Sequence, residues 1–423
     1  MRKSIVVSLL IISSLFAGEK YTLEECLDIA QKNNPDMTIS KKQQDISGSQ
    51  LKQAWGNFLP SASASYRAAN IERGESDYQF LESNSNDFSL DFNVNQPLFN
   101  SSILYGYKLA KNGVHQAGIS KTQTRQYLIS FVTENFYAVL KAQELLKVYE
   151  KAHKNSLEQL KKTEEMHKLG QVTQKDVLKA KVKEGSDRLN IITQKKALET
   201  ATIMLKSSMG FNPTEKDISV YEETYTPVKE ISYEAAKEYC LENNTNLQLL
   251  ESQKQNAQLQ FKMEKLSYLP TASAGLYYNR GGSQFDRVYS EIDKHYSRTL
   301  SMSINFSIFE GFKRKNKIQM KQIEYDIYDD RLKKETISLL SDVDELVRTL
   351  ETYKEMLEIN QINLNSAKED LRLAQEMYKL NSATFLEVLD AQAAYTRAAS
   401  DIIRIKYEMK VAETQLNLAM GTL

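Results

Sequence analysis

The stretch NNPDMTISKKQQDISGSQLKQAWGNFLPSASASY, residues 33–66, recurs without gaps as NNTNLQLLESQKQNAQLQFKMEKLSYLPTASAGL at residues 243–276, an offset of 210. Leu59 and Pro60 fall on Leu269 and Pro270, and Ala-Ser-Ala follows both pairs. At the same offset LDFNVNQPLFN (90–100) lies on LSMSINFSIFE (300–310). After one inserted residue, LGQVTQKDVLKA (169–180) lies on LNSATFLEVLDA (380–391), and LKSSMG (205–210) on LNLAMG (416–421). The chain is a single duplication of about 210 residues, not a solenoid of short repeats.

Each copy has the same internal order. A helical stretch runs to Leu-Pro, where proline's fixed φ and missing donor end it. Two segments of period two follow, predicted as strands over about 61–71 and 87–98 in the first copy and about 271–280 and 298–309 in the second. Leu300, Met302, Ile304, Phe306 and Ile308 alternate with Thr299, Ser301, Ser303, Asn305 and Ser307. Runs of about ten residues, apolar on one side and polar on the other, suit tilted transmembrane β-strands. A soluble two-stranded hairpin shows the same alternation. The polar joins 72–86 and 281–297 are then loops at one rim.

Very long helices come next, predicted over about 101–168 and 311–380, each close to 100 Å at 1.5 Å per residue. Heptads run through the second: Val343, Leu350, Leu357, Leu364, Leu371 and Tyr378 form one column. Shifting by 211 gives Val132, Val139, Leu146, His153, Leu160 and His167 in the first copy. A turn at 169–173 or 380–384 leads into a return helix, about 173–209 and 384–420, so each copy carries an antiparallel coiled-coil hairpin. The copies span 19–210 and 231–423, with 211–230 as a linker.

Composition narrows the function. The chain of 423 residues carries 55 basic and 55 acidic side chains, and this balance gives no reason to expect a nucleic-acid partner. Arg2 and Lys3 precede an apolar run from Ile5 to Phe16 and then Ala17 and Gly18, which reads as a secretory signal peptide over 1–18. No later segment reaches 18 continuous apolar residues, so no transmembrane helix is expected in the mature chain. Cys26 and Cys240 read either as small buried hydrophobes or as a disulfide. His115, His153, His167 and His295 are far apart, and no phosphate loop, nucleophile elbow or metal-spaced cluster is present. Neither an enzyme nor a cofactor is expected.

Four strands per chain cannot close a barrel, and open edges are not tolerated in lipid. Several protomers must share one barrel, with the helical hairpins around the same axis. The reading is an oligomeric tube: a β-pore in an outer membrane continued by a helical conduit in the periplasm. The alternative is a periplasmic coiled-coil adaptor or structural protein without a membrane barrel, which has no use for four paired alternating strands.

The duplication, Leu-Pro before the first strand, VLDA after the second hairpin turn and the terminal LNLAMGTL together resemble the TolC-type outer-membrane efflux family over essentially the whole mature chain. The resemblance implies an α+β membrane protein: a homotrimer whose twelve-stranded transmembrane β-barrel takes four strands from each protomer, above an α-barrel of coiled-coil hairpins. It also implies an exit duct for an inner-membrane drug-efflux pump or a type I secretion machine, reached through a periplasmic adaptor (membrane fusion) protein, with outer-membrane lipid around the barrel. Glu387 and Asp390 match the family's periplasmic constriction acids, Tyr378 its gate tyrosine and Asp176 the acid to which that tyrosine links. Where the best-known member has a gate arginine, this chain has Ala383. The hairpin tips, Leu169, Gly170 and Val172 with Leu380 and Ser382, are then the adaptor-docking surface. Read without the resemblance, Glu387 and Asp390 also fit a solvated helix face.

Overall fold

The computed structural model describes residues 19–72, 84–212, 214, 218–222, 225, 227–229, 231–285, 288, 294–380 and 382–423. The expected signal peptide, 1–18, lies outside them, as does 73–83 of the first strand-joining loop. The described elements are β1 (Glu19–Tyr21), α1 (Leu23–Asn33), α2 (Pro35–Gly56), β2 (Ser61–Glu72), β3 (Asn84–Phe99), α3 (Ser101–Lys168) and α4 (Gln174–Ser208) in the first copy. They continue with β4 (Ile218–Val220), α5 (Tyr233–Asn243), α6 (Thr245–Lys265), β5 (Thr271–Gly282), β6 (Tyr296–Asn305), α7 (Lys313–Lys379) and α8 (Phe385–Met420). The described residues form two compact units: one within 19–40, 121–247 and 335–423, the other within 41–120 and 248–334.

The first unit holds a core of Leu128, Val132, Phe136 and Val139 on α3, Leu205 on α4 and Tyr407 on α8. Cys26 and Ala30 on α1 join it. In the duplication Cys26 falls on Ala236 and Ala30 on Cys240, so each copy places one cysteine and one alanine a helical turn apart, all buried. Both cysteines are free thiols. Burial raises Cys26 to about 12, with Glu25 adding to it, and Cys240 to about 11. Of the two readings, small buried hydrophobes is therefore the one observed.

Two features of this unit depart from the sequence reading. β1 pairs in parallel with β4, which lies inside the stretch 211–230 expected as a linker. Three-residue strands carry too little alternation to be seen in sequence. The single helix expected before each Leu-Pro is instead a pair, broken at Asn34 and at Asn244, both extended (φ −66°, ψ 128° and φ −64°, ψ 121°). The Asn34 side chain accepts from the amide of Asp36 (2.8 Å) and donates to the Ser208 carbonyl (3.0 Å). Asn244 repeats this with Asn246 (2.9 Å) and the Ala419 carbonyl (2.8 Å). The break therefore caps one helix and ties the start of each copy to its end.

That tie sets the glycine closing each copy. Gly210 and Gly421 have φ of +78° and +72°, and a β-carbon there would lie 2.8 Å from the Asn33 carbonyl oxygen or 2.3 Å from that of Asn243. Gly170 has φ +74° but open space around it. Gly421→Ala should therefore lower unfolding stability by about 2 kcal/mol or more, and Gly170→Ala by less. Chemical denaturation of the two variants side by side checks this ordering.

The second unit is built on an antiparallel sheet in the order β2-β3-β5-β6. Register puts the apolar sets on one face: Ala64 opposite Phe92, Phe92 opposite Tyr278, Val94 opposite Leu276, Leu276 opposite Leu300. The other face carries Ser63, Asn93, Tyr277 and Thr299 in line, and there Asp91 accepts from the Tyr277 hydroxyl and from Asn279 (2.6 Å). Leu300, Met302 and Ile304 are 82, 67 and 63% exposed. β6 ends at Asn305, short of the expected 309, because β5, its one neighbour among the described residues, begins at Thr271, which pairs with Asn305. β3, flanked on both sides, runs on to Phe99 through a register shift at Pro97. α7 starts at Lys313 rather than 311 because Gly311 and Phe312 are left-handed (φ 59° and 65°).

Candidate functional site at the hairpin tips

Both helical hairpins turn in five residues, 169–173 and 380–384. α3 ends on the basic pair His167 and Lys168, which complements its C-terminal dipole. The Gly170 amide donates to the His167 carbonyl (2.9 Å) and that of Gln171 to Met166 (2.9 Å), a left-handed stop that suits glycine. His167 Nδ1 lies 3.0 Å from the Val172 carbonyl oxygen, bracing the turn. In the second tip the amide of Leu380 reaches Glu376 (3.1 Å) and that of Ser382 reaches Met377 (2.8 Å). The leucines at these turns are thrust into solvent, Leu169 72% and Leu380 75% exposed.

Each return helix opens with a capping box. Thr173 accepts from the Asp176 amide (3.3 Å), while the Asp176 carboxylate accepts from the Thr173 amide (3.2 Å) and hydroxyl (2.6 Å). Thr384 and Glu387 do the same, at 3.3 Å in both directions. The signal, threonine three residues before an acid, stands in the sequence as TQKD and TFLE, where functional readings of the acids left it unweighed. Two of the four singled-out polar residues thus have a structural duty. Glu387 and Asp390 are both exposed, one turn apart, and Asp390 makes no hydrogen bond or ion pair among the described residues.

Tyr378 lies behind this turn, its ring 5.9 Å from that of Phe385, which is buried. Its hydroxyl is buried without a hydrogen-bond partner. Burial, and secondarily the carboxylate of Asp176, push it above the usual phenol range. Within one chain the Tyr378–Asp176 pair is thus close enough to interact electrostatically but forms no hydrogen bond.

Below the tips, α3 and α8 touch between Glu134 and Ala152 of α3. Gln392 donates to the Ala152 carbonyl (3.3 Å), and the Tyr407 hydroxyl to Glu144 (3.0 Å). His153, placed in a heptad column by sequence, pairs with Glu184 at 2.8 Å inside the first hairpin. Among the described residues no helix is long and apolar enough to cross a membrane, and no cluster of metal-binding side chains occurs.

The family model for outer membrane efflux proteins matches residues 26–211 and 238–422. The chain is similar to the outer membrane protein TolC of Escherichia coli (strain K12), 23% identical over 433 aligned positions, gaps included, that cover 97% of this chain and 84% of that protein. The TolC of Vibrio cholerae is 20% identical over 405 residues, 95% of this chain and 91% of that protein. Among solved structures, the Campylobacter jejuni CmeC outer membrane channel superposes with a TM-score of 0.84 at 15% identity, covering 100% of this chain and 93% of that one. VceC of Vibrio cholerae gives 0.82 at 12% identity, covering 94% and 96%.

Proposed function

Because the chain belongs to the outer membrane efflux protein family, we propose that three copies close one β-barrel and serve as the exit duct of a tripartite efflux pump or type I secretion system. The protein is an outer-membrane channel protein with a large helical periplasmic part. The observation that carries the proposal is the sheet: one apolar face, one polar face, and two outer strands, β2 and β6, each paired on one side among the described residues. An unpaired strand edge cannot face hydrocarbon, so lipid and assembly are coupled. Three copies supply twelve strands, within the range of known membrane barrels. A coiled-coil adaptor without a barrel leaves the sheet unexplained.

In this reading the duct is passive, and a periplasmic adaptor engages the tips, where Leu169 and Leu380 stand exposed beside Gly170, Val172 and Ser382. Glu387 and Asp390, repeated three times, form stacked acidic rings at the periplasmic entrance. Tyr378 and Asp176 lie at the gate, their link completed between neighbouring hairpins.

Two experiments test the two levels. Extracted from outer membranes, the chain should migrate as a heat-sensitive trimer and conduct ions in planar bilayers; a folded, water-soluble monomer overturns the duct. Leu169→Glu with Leu380→Glu should leave trimer and conductance unchanged and abolish cellular efflux. Normal efflux in that variant moves adaptor docking away from the tips.

A further inference from the structure

The apolar face of the sheet carries charge at one end only. Tyr278 stands opposite Arg298 on this face, and Arg280 opposite Tyr296. The rows beyond them, Leu276 with Leu300, Ala274 with Met302 and Ala272 with Ile304, are uncharged. Within β3, β5 and β6 the face bears these two arginines and no acid, because Asp87 and Asp91 fall on the polar side. Both arginine rows lie at the loop end of the strands. That end points away from the helices, which join the sheet at Ser61, Phe99 and Thr271. With the helical part in the periplasm, the loop end meets the outer leaflet. An arginine on a lipid-facing strand is tolerated at head-group level and not at the midplane, which fits this placement.

The two arginines are set differently. Arg280 is buried (5% exposed) and engaged within the chain. Arg298 is exposed and makes no hydrogen bond or ion pair among the described residues. Its guanidinium lies 4.9 Å from the centroid of the Tyr296 ring and 5.9 Å from that of Tyr278. Those two rings are stacked, 6.0 Å apart at 20°, and Tyr278 also lies 6.1 Å from Phe92. A guanidinium laid on aromatic rings loses mobility and keeps its N–H fork, whose shape matches two oxygens of a phosphate. An aromatic girdle alone calls for tyrosines at this depth, not for a cation fixed between two of them. Lys294, exposed and without an ion pair among the described residues, stands two positions before Tyr296 and adds a second cation nearer the loop.

We propose that Arg298, braced by Tyr278 and Tyr296, binds the phosphate group of a lipid in the outer leaflet, one lipid to each protomer. Leu276, Leu300 and Met302 offer its acyl chains an apolar bed, and Lys294 supplies further positive charge for the head group. The occupant is a lipid rather than a soluble anion because the cation stands on the apolar face, next to rows that suit only hydrocarbon. The inference rests on the duct reading, which puts this face in a membrane.

The test uses the full chain, extracted from outer membranes as the heat-sensitive trimer and stripped of bound lipid in detergent. The probes are lipid A, lipid A freed of its phosphates, and inorganic phosphate, with binding read by native mass spectrometry. The parent should bind lipid A about tenfold or more tighter than the dephosphorylated form, the size expected for a charge-assisted fork. Arg298→Gln should abolish that preference while the trimer persists. Arg298→Lys, which keeps the charge without the fork, should lose part of it. Thr299→Ala, on the polar face of the same strand, should bind as the parent does. Millimolar inorganic phosphate should not displace lipid A; displacement at that level makes the ligand a soluble anion and overturns the lipid assignment. A parent trimer that binds both forms of lipid A alike, or an Arg298→Gln trimer that keeps the preference, overturns the site and leaves the duct standing. A parent chain that does not enter membranes overturns the duct, and the site with it.

Discussion

Glu387→Gln together with Asp390→Asn should cut the cation preference of the bilayer conductance to roughly half or less, seen as a reversal potential moving toward zero in a salt gradient. Both carboxylates are exposed on the first two turns of α8, and three-fold repetition would stack them into two rings at a narrow entrance. Low-dielectric walls focus the field of such rings and concentrate cations there. The amides are chosen because Glu387 also closes a capping box with Thr384, and glutamine at that position keeps the reciprocal bonds. Thr384→Ala supplies the complementary control. It removes the cap, at a cost of about 1 kcal/mol, and leaves the charge, so it should soften the helix start with little change in selectivity. If the reversal potential is unmoved by the amides and moved by Thr384→Ala, the acids act through helix geometry rather than as a charged ring.

Tyr378→Phe should raise single-channel conductance, and adding Asp176→Asn should raise it little further, because the two are ends of one link. A buried hydroxyl with no partner costs about 1–3 kcal/mol, which the Tyr378 hydroxyl bears in the single chain. Assembly that brings an acceptor to it would repay this cost and latch the entrance; phenylalanine would then remove the latch and the penalty together. The same substitution should therefore leave protomer stability unchanged or slightly higher while opening the channel. That combination separates a latch from a packing residue, whose loss would destabilise. Asparagine is used at 176 because the Asp176 carboxylate also caps α4. Ala383→Arg, which restores the gate cation that the resemblance leads one to look for, should lower conductance. Unchanged conductance across this set would move the constriction away from the hairpin end.

The parts of this fold that were legible in sequence are those written in long periods. The alternation from Leu300 to Ile308 and the heptads from Val343 to Tyr378 each extend over enough residues to identify a face. The ends of those elements were less legible because neighbours set them. β6 stops where its single partner stops, and α7 waits for two left-handed residues to pass. The breaks at Asn34 and Asn244 were invisible as periodicity because each is one residue whose side chain bonds across about 175 positions, to Ser208 and Ala419. At the tips, matching by resemblance drew attention to the acids, whereas the threonines that bind two of them carry the local order. The bare hydroxyl of Tyr378 is a property of packing, and no local pattern announces it.

The single-sided pairing of β2 and β6 has a genetic side. If several copies share one barrel, a chain that carries a damaged strand edge would not fail alone; it would enter rings with intact chains and withhold the edge they need. In a cell expressing both forms, the defect should behave as dominant, and the more so the better the altered chain still folds. A chain crippled in its core, at Gly421 for instance, is removed before it meets its siblings and should be recessive. Mild lesions on the seams are therefore the more damaging class when two alleles share one cell, the reverse of the order in which the same lesions rank by stability.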